Sequence, residues 1–166
     1  MSDAAAQITA IRLAFHHVTE RGGGPTLREA DVIRQYGPAN SRRENARALD
    51  NDKRWWQISD ASFDKSINPF PHLDDKAFVY YMPAILTWCL KNHDRAIKHK
   101  LLASLLDALV MPTRWDLVDA QKKRFAAFNR EQATVIAACL KFWAGLDNAG
   151  LSKAQDALDS YWKQFA

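Results

Sequence analysis

The chain has 166 residues, enough for one domain of ordinary size, and 48% of them are hydrophobic while 25% are charged. This balance excludes an intrinsically disordered chain, which combines low hydrophobicity with high net charge. The formal net charge of +4 is a mild surplus and does not indicate a dedicated nucleic-acid binder.

The cysteines and the apolar segments bear on where the protein acts. Cys89 and Cys139 lie within apolar helical patterns, so we expect buried free thiols. No segment is apolar for long enough to cross a bilayer, and the first residues lack the basic start and apolar stretch of a signal peptide. We therefore expect a cytoplasmic protein that does not bind a membrane.

The N-terminal half reads as short helices joined by glycine and proline. Spacings of three, four and three residues give a first helix one apolar face, formed by Ile8, Ile11, Phe15 and Val18. After the glycine-rich loop 22–25, Thr26 and Glu29 form a capping box that begins a second helix. Ser41 and Glu44 have the same spacing, and the helix that they begin should turn Ala46 and Leu49 inward.

The C-terminal half has longer helical patterns. The most apolar one follows the capping acids Asp74 and Asp75, and Pro83 should interrupt it because proline has no backbone N–H. Further helices are expected around Leu101–Leu109 and Trp115–Phe128, after an Asn129–Gln132 capping box, and after Ser152. We expect one core that contains Phe78, Met82, Ile85, Leu101, Leu105, Val135, Cys139 and Phe142.

These patterns predict an all-α fold, because no segment alternates cleanly over the length of a strand. We expect a single-domain bundle of about seven or eight helices over residues 1–166, with a proline-interrupted central helix. Residues 1–72 would form the shorter N-terminal helices and loops, and residues 73–166 the longer helical scaffold.

No motif indicates catalysis, a metal or a cofactor. The chain has no His-Glu-x-x-His, no Cys-x-x-Cys and no Gly-x-Ser-x-Gly sequence. The neighbouring residues His16 and His17 diverge by about 100° on a helix and cannot easily share an ion. We expect no bound metal and no cofactor, although a catalytic site that forms only in the folded chain stays open.

Arginine and tryptophan are among the residue types that most often dominate binding energy at interfaces, and in the N-terminal half Arg42, Arg43, Arg47 and Arg54 lie close before Trp55 and Trp56. Trp55 and Trp56 are adjacent, so they cannot both face the same core, and one of them is available to a partner. We expect a partner-binding surface formed by Arg28, Glu29, Asp31, Arg34, Arg42, Arg43, Trp55 and Trp56. The alternative is that Arg28 or Arg47 pairs internally with Asp31 or Asp50 and that different neighbours bury both tryptophans.

Three segments together resemble a bacterial family of small proteins of unknown function. They are Leu27-Arg28-Glu29-Ala30-Asp31-Val32-Ile33 before Tyr36-Gly37, Ala46-Arg47-Ala48-Leu49-Asp50 before Trp56, and Ala77-Phe78-Val79-Tyr80-Tyr81-Met82-Pro83-Ala84. The family's core segment reads Phe-x-Tyr-Tyr-Leu-Pro-Ala, so Met82 replaces a leucine here, and Val79 stands where arginine is common. The resemblance covers about residues 8–145 and implies no enzyme activity. It is consistent with single-domain partners of other proteins, including antidotes of bacterial toxins.

Three functions follow as hypotheses. The first is a non-catalytic module that binds and masks another protein, such as an immunity protein that neutralises a bacterial toxin. The basic charge favours an acidic partner over a nuclease, whose active site is itself basic. The second is a nucleic-acid or nucleotide-binding protein that uses Arg42, Arg43, Lys122, Lys123 and Arg124. The third is an enzyme whose site is not visible in the sequence.

Overall fold

The computed structural model describes residues 3–166, and within that range the chain is all-helical with no strand. The all-α prediction is confirmed. The described chain has ten α-helices, of which eight have eight or more residues and two have six, so the expected count of about seven or eight is not confirmed. The helices are α1 (Ala4–Ala14), α2 (Leu27–Tyr36), α3 (Arg42–Leu49), α4 (Asp60–Lys65), α5 (Asp75–Lys91), α6 (His93–Lys98), α7 (Lys100–Leu109), α8 (Trp115–Phe125), α9 (Arg130–Ala144) and α10 (Ser152–Ser160). Short 3₁₀ turns occupy Trp55–Gln57, Phe70–His72, Ala149–Leu151 and Trp162–Phe165.

Side-chain caps fix several helix starts. Thr26 and Asn129 each form the predicted capping box, and Asp74 accepts a hydrogen bond from the Ala77 N–H at the start of α5. The caps expected from Ser41 and Ser152 are absent. Ser41 already has helical backbone angles, and Ser152 is itself the first residue of α10.

Helix α5 lies at the centre of the molecule. It packs against α1, α4, α6 and the turn Trp55–Gln57, and thirteen of its seventeen residues are buried. The helix continues through the buried residue Pro83, so the expected interruption is not confirmed. Proline lacks one helical N–H, but the packing of α5 on several sides stabilises the helical state of its neighbours.

The C-terminal helices complete the core from the other side. Helix α9 packs against α1, α10 and the last 3₁₀ turn, and α7 packs against α10 and α6. One connected apolar cluster runs from Ile11 in α1 to Trp162 near the end of the chain. The short N-terminal helix α1 and the C-terminal scaffold therefore share the same core.

Some residues expected in the core lie outside it. Cys139 is fully buried as expected, but Val135 and Phe142 are only partly buried, because the buried face of α9 also contains Ile136, Leu140 and Trp143. Leu49 is 64% exposed at the end of α3, a short helix that packs chiefly on α2. Trp115 is 87% exposed, because α8 buries only Phe125 near its C-terminal end.

The core assignment predicts a contrast between two leucine positions. Leu105→Ala should lower the free energy of unfolding by about 2–5 kcal/mol, because Leu105 is fully buried in α7. Leu117→Ala removes the same atoms at a position that is 43% exposed in α8, and should change it by no more than about 0.5 kcal/mol. Urea denaturation followed by circular dichroism measures both changes. Equal losses would contradict the assignment.

Candidate functional site

A network of ion pairs joins α2 to the end of α3. The Arg28 backbone N–H donates to Asp50 Oδ2 at 2.8 Å, and its Nε donates to Asp50 Oδ1 at 3.0 Å. Nη2 of Arg28 reaches Ser62 Oγ in α4 at 3.3 Å. Two donors of one residue therefore hold both oxygens of Asp50, which fixes the approach of the two helices.

Glu29 is the buried acid of this network, with a side chain only 3% exposed. It accepts the Thr26 N–H at 2.8 Å as part of the capping box, and Arg47 Nε lies 2.9 Å from the same Oε2 atom. Arg43 Nε lies 3.5 Å from Oε1 but forms no hydrogen bond, and Arg43 Nη1 donates to Pro38 O at 2.5 Å. Two arginines thus compensate one buried carboxylate.

The paired tyrosines of α5 connect this network to the core. The Tyr80 hydroxyl donates to Asp52 Oδ2 at 2.7 Å, and the Tyr81 hydroxyl accepts the Leu27 N–H at 3.1 Å. Burial, with the nearby carboxylates as the second cause, raises the pKa of both tyrosines well above its usual value. Both hydroxyls therefore stay neutral and serve as hydrogen-bonding groups.

The glycine-rich loop is held between the network and α5. Arg47 Nη2 donates to Gly24 O at 3.2 Å, and Arg21 Nη1 donates to the same oxygen. A Cβ atom at Gly24 would overlap the carboxylate of Asp74, the residue that caps α5. The loop therefore needs glycine for this close approach, as expected of a structural turn.

Helix α2 also carries a separate ion pair between Asp31 and Arg34. Asp31 lies 3.6 Å from Arg34 Nε and accepts the Ile67 N–H at 3.4 Å. Burial raises the pKa of Asp31, and also that of Asp50, in spite of their arginine partners. Arg42 stacks over the Tyr36 ring, with its Cζ atom 4.3 Å from the ring centroid.

The two adjacent tryptophans point in different directions. Trp55 is buried and its Nε1 donates to Phe15 O at 3.3 Å, whereas Trp56 is 53% exposed. Their rings make an edge contact with centroids 5.4 Å apart. Gln57 Oε1 accepts the N–H groups of Lys53 and Arg54, each at 3.0 Å, so the turn that carries Trp56 is closed on itself.

A small cavity of about 70 Å³ lies beside Trp56, between α1, α4, α5 and the tryptophan turn. Thr87 and Trp88 form part of its α5 wall, and Thr87 Oγ1 and Trp88 Nε1 are buried without a hydrogen-bond partner. The cavity is lined by Arg12, Trp55, Trp56, Ile58, Asp60, Phe63, Ala84, Thr87, Trp88 and Lys91.

A larger open cleft of about 620 Å³ lies between α7, α8 and the turn Phe70–His72. Arg124 lines it but is engaged internally, since its guanidinium donates to Asp75 at 3.2 Å, to Phe70 O at 2.9 Å and to Leu73 O. Its neighbours Lys122 and Lys123 are exposed on α8. The arginine of the cleft is therefore already paired, whereas Lys123, which also lines the cleft, has no ion pair within residues 3–166.

Groups with reactive chemistry are scarce in the part of the chain that the structure describes. Cys89 and Cys139 are fully buried, and burial raises the pKa of the Cys89 thiol and raises that of Cys139 to about 12. Neither thiol is available as a thiolate nucleophile. Residues 3–166 contain no group of three or more metal-ligating side chains, and no helix among them is both long and apolar enough to span a membrane.

Comparison with known proteins identifies the family to which the chain belongs. A family model described as a family of unknown function, DUF6714, matches residues 3–166. The chain belongs to this family. No curated protein and no solved structure matches it. The DUF6714 match extends beyond residues 8–145, which carried the resemblance in the sequence.

Within residues 3–166 of this DUF6714 protein, hydrogen bonds, ion pairs and ring contacts do not join all eight residues expected to bind a partner. Arg28, Glu29 and Arg43 belong to the ion-pair network, while Asp31, Arg34 and Arg42 line other parts of α2 and α3. Within residues 3–166, no hydrogen bond or ion pair links Trp55 or Trp56 to α2 or α3. Arg28 does pair internally with Asp50, as the alternative held, but Arg47 pairs with Glu29 and Trp56 is not buried.

The partner-binding surface expected from the sequence leaves out the groups that complete both sites. Arg47, Asp50, Tyr80 and Tyr81 stand in the segments that carry the family resemblance, and the structure joins these segments in one network. Their position within these segments is the sequence feature that could have indicated their role. The cavity beside Trp56 had no such signal, because four separate elements contribute its lining.

The buried charge of Glu29 can be tested apart from its cap. Glu29→Gln keeps an oxygen for the Thr26 N–H but leaves Arg43 and Arg47 without a carboxylate. We expect the free energy of unfolding to fall by about 1–2 kcal/mol, less than the roughly 3–5 kcal/mol of fully buried pairs, because the arginines stay partly solvated. Glu44→Gln, at an exposed position in α3, is the control and should have no measurable effect. If chemical denaturation shows the same free energy of unfolding for Glu29→Gln and the wild type, the stabilising role of the buried Glu29 ion pairs is contradicted.

Asp31 predicts a specific pH dependence. Because its pKa is higher in the folded than in the unfolded state, the folded chain holds the proton more tightly and the charged form costs stability. The wild type should therefore gain stability relative to Asp31→Asn as the pH falls from above the raised pKa to below the usual aspartate value. Denaturation curves for both proteins between pH 7 and about 3.5 measure this difference. A difference that is constant or moves the other way would contradict the raised pKa.

Proposed function

We propose that this protein is a non-catalytic, cytoplasmic module that binds and masks another protein, as an immunity protein masks a bacterial toxin. The observation that carries the proposal is Trp56, a large aromatic side chain that is 53% exposed on a fixed turn of the N-terminal half. Tryptophan is among the residues that contribute most binding energy at protein interfaces.

The support beneath Trp56 favours binding over a chance exposure. Trp55 packs in the core and donates to Phe15 O, and Arg54 Nη1 donates to Thr19 O at 3.3 Å, so both α1 and the following loop hold the turn. A rigid, preformed aromatic contact loses little conformational entropy when a partner covers it. The turn therefore holds Trp56 in position before a partner binds, which limits the loss of conformational entropy on binding.

The internal contacts of the arginines argue against nucleic acid as the partner. Arg43 lies beside Glu29, Arg42 stacks on Tyr36, and Arg124 donates to Asp75 and to backbone oxygens. Phosphate binding needs cations that are free to exchange their counterions. Arg42, Lys122 and Lys123 are the exposed members of the group considered for phosphate contacts, and Arg42 already stacks on Tyr36.

The charge balance favours an acidic partner surface. The chain carries a net charge of +4, and both Arg12 and Lys91 line the cavity beside Trp56 without an ion pair within residues 3–166. Opposite charges across an interface speed association and disfavour wrong partners. An acidic effector, or an enzyme with an acidic pocket, fits this surface better than a basic nuclease does.

Two exposed tryptophans allow a matched test. The partner is first isolated by affinity capture from the native cells and purified, and its binding is then measured by calorimetry. Trp56→Ala should weaken binding by about 30-fold or more, the factor for an interface hot spot. Trp115→Ala, at an 87% exposed position in α8, should bind like the wild type. Unchanged binding by Trp56→Ala with loss in Trp115→Ala would place the interface on α8 and overturn the proposal.

A further inference from the structure

We propose that His99 makes the joint between α6 and α7 sensitive to mild acid: the neutral ring caps α7, and protonation releases the first turn of that helix. His99 follows the last residue of α6 and is the N-cap residue of α7. Its Nδ1 atom lies 3.1 Å from the backbone nitrogen of Leu101, and its Nε2 atom lies 2.9 Å from the carbonyl oxygen of Asp64 in α4. One imidazole ring therefore connects three helices.

The two backbone partners determine which ring nitrogen carries the hydrogen. A backbone N–H can only donate, so Nδ1 of His99 accepts from Leu101 and carries no hydrogen. A carbonyl oxygen can only accept, so Nε2 carries the hydrogen that it donates to Asp64 O. Both bonds exist together only in the neutral ring with its hydrogen on Nε2.

Protonation of the ring affects these two bonds differently. The added proton binds at Nδ1, because Nε2 already carries a hydrogen, so Nδ1 becomes a donor that faces the Leu101 N–H. The bond to Asp64 O survives, because Nε2 keeps its hydrogen. The charged ring therefore stays attached to α4 while α7 loses the side-chain cap that stabilises its start.

The surroundings of the ring give an added positive charge little compensation. The N-terminus of α7 is the positive end of the helix dipole, which disfavours a cation. The ring of Trp88 in α5, whose centroid lies 5.3 Å from that of His99, carries no charge. The charged side chains that adjoin His99 or its contact residues in α4, α5, α6 and α7 are Asp64, Lys65, Lys91, Arg95, Lys98 and Lys100. The one carboxylate in this set already pairs with Arg95 at 3.0 Å.

The joint controls the start of a helix that contributes heavily to the core. Five leucines of the ten-residue helix α7 are buried, and two of them, Leu101 and Leu102, lie in the first turn beside the cap. The same helix forms one wall of the open cleft of about 620 Å³. Loss of the cap therefore loosens the packing of the first turn of α7 between α6 and the rest of the core.

A second cap in the chain has the same spacing but a side chain that does not titrate. Asn148 Oδ1 accepts the Gly150 N–H at 2.9 Å, again two residues further along the chain. Asparagine keeps its acceptor at any pH near neutral, whereas histidine changes its charge between about pH 5 and 8. The two caps therefore predict different responses to mild acid.

Nuclear magnetic resonance tests the tautomer and the response to pH in the wild type. Ring nitrogen-15 spectra at pH 8 show which nitrogen of His99 carries a hydrogen, and we expect Nε2. Amide exchange of Leu101 and Gly150, corrected for the intrinsic exchange rate, is then measured from pH 8 to pH 5. Leu101 should lose about fivefold of its protection, the factor that an N-cap bond typically contributes, while Gly150 should not change.

Two asparagine variants separate this joint from other titrating groups. His99→Asn keeps an acceptor for the Leu101 N–H but cannot be protonated, so its Leu101 protection should be the same at pH 8 and pH 5. His16→Asn, at an exposed position beyond α1, should keep the fivefold loss. His99 also assigns its own ring signals, because they disappear in His99→Asn.

Three results would each overturn the proposal. They are a hydrogen on Nδ1 of His99 at pH 8, an equal response of Leu101 and Gly150 to pH, and a loss of Leu101 protection that persists in His99→Asn. The comparison of Leu101 with Gly150 uses the wild type alone, so it decides the question even if a variant does not fold.

Discussion

The central helix α5 requires neighbours on nearly every side, because thirteen of its seventeen residues are buried. A helix that is apolar all round is stable in water only when other elements cover it. Helices α1, α4 and α6 and the tryptophan turn pack directly on it, and the C-terminal helices complete the same cluster. The positions of the remaining elements follow from the need to enclose α5.

Enclosing α5 also buries its polar atoms, and these determine where the two polar sites form. The hydroxyls of Tyr80 and Tyr81 reach Asp52 and the Leu27 N–H, so the ion-pair network of α2 and α3 is attached to the core through them. Two helical turns further along, Thr87 and Trp88 have polar atoms without such partners. Hydrogen bonds from α5 therefore support the ion-pair network at one end of the helix, whereas Thr87 Oγ1 and Trp88 Nε1 are buried without such bonds nearer its other end.

The sequence predicts helices more reliably than it predicts their contacts. Apolar periodicity identified the buried face of α7 and the residues Phe78, Met82 and Ile85 of α5, because those patterns are regular. In α9 nearly every position near the face is apolar, so periodicity could not distinguish Ile136 and Trp143 from Val135 and Phe142. The pairing of Arg28 with Asp50 spans 22 residues and depends on how α2 meets α3, which no local pattern encodes.

Helix α1 packs against both α5 and α9, and Gln132 Nε2 donates to Ala14 O across 118 residues of chain at 3.4 Å. During synthesis, α1 leaves the ribosome before α9, one of the two helices between which it packs. At about 5–20 residues per second, α9 follows on the order of 10 s later. Until α9 emerges, α5 is the one of these two helices on which the apolar side of α1 can dock, so the nascent chain holds an incomplete core that is open to other hydrophobic surfaces.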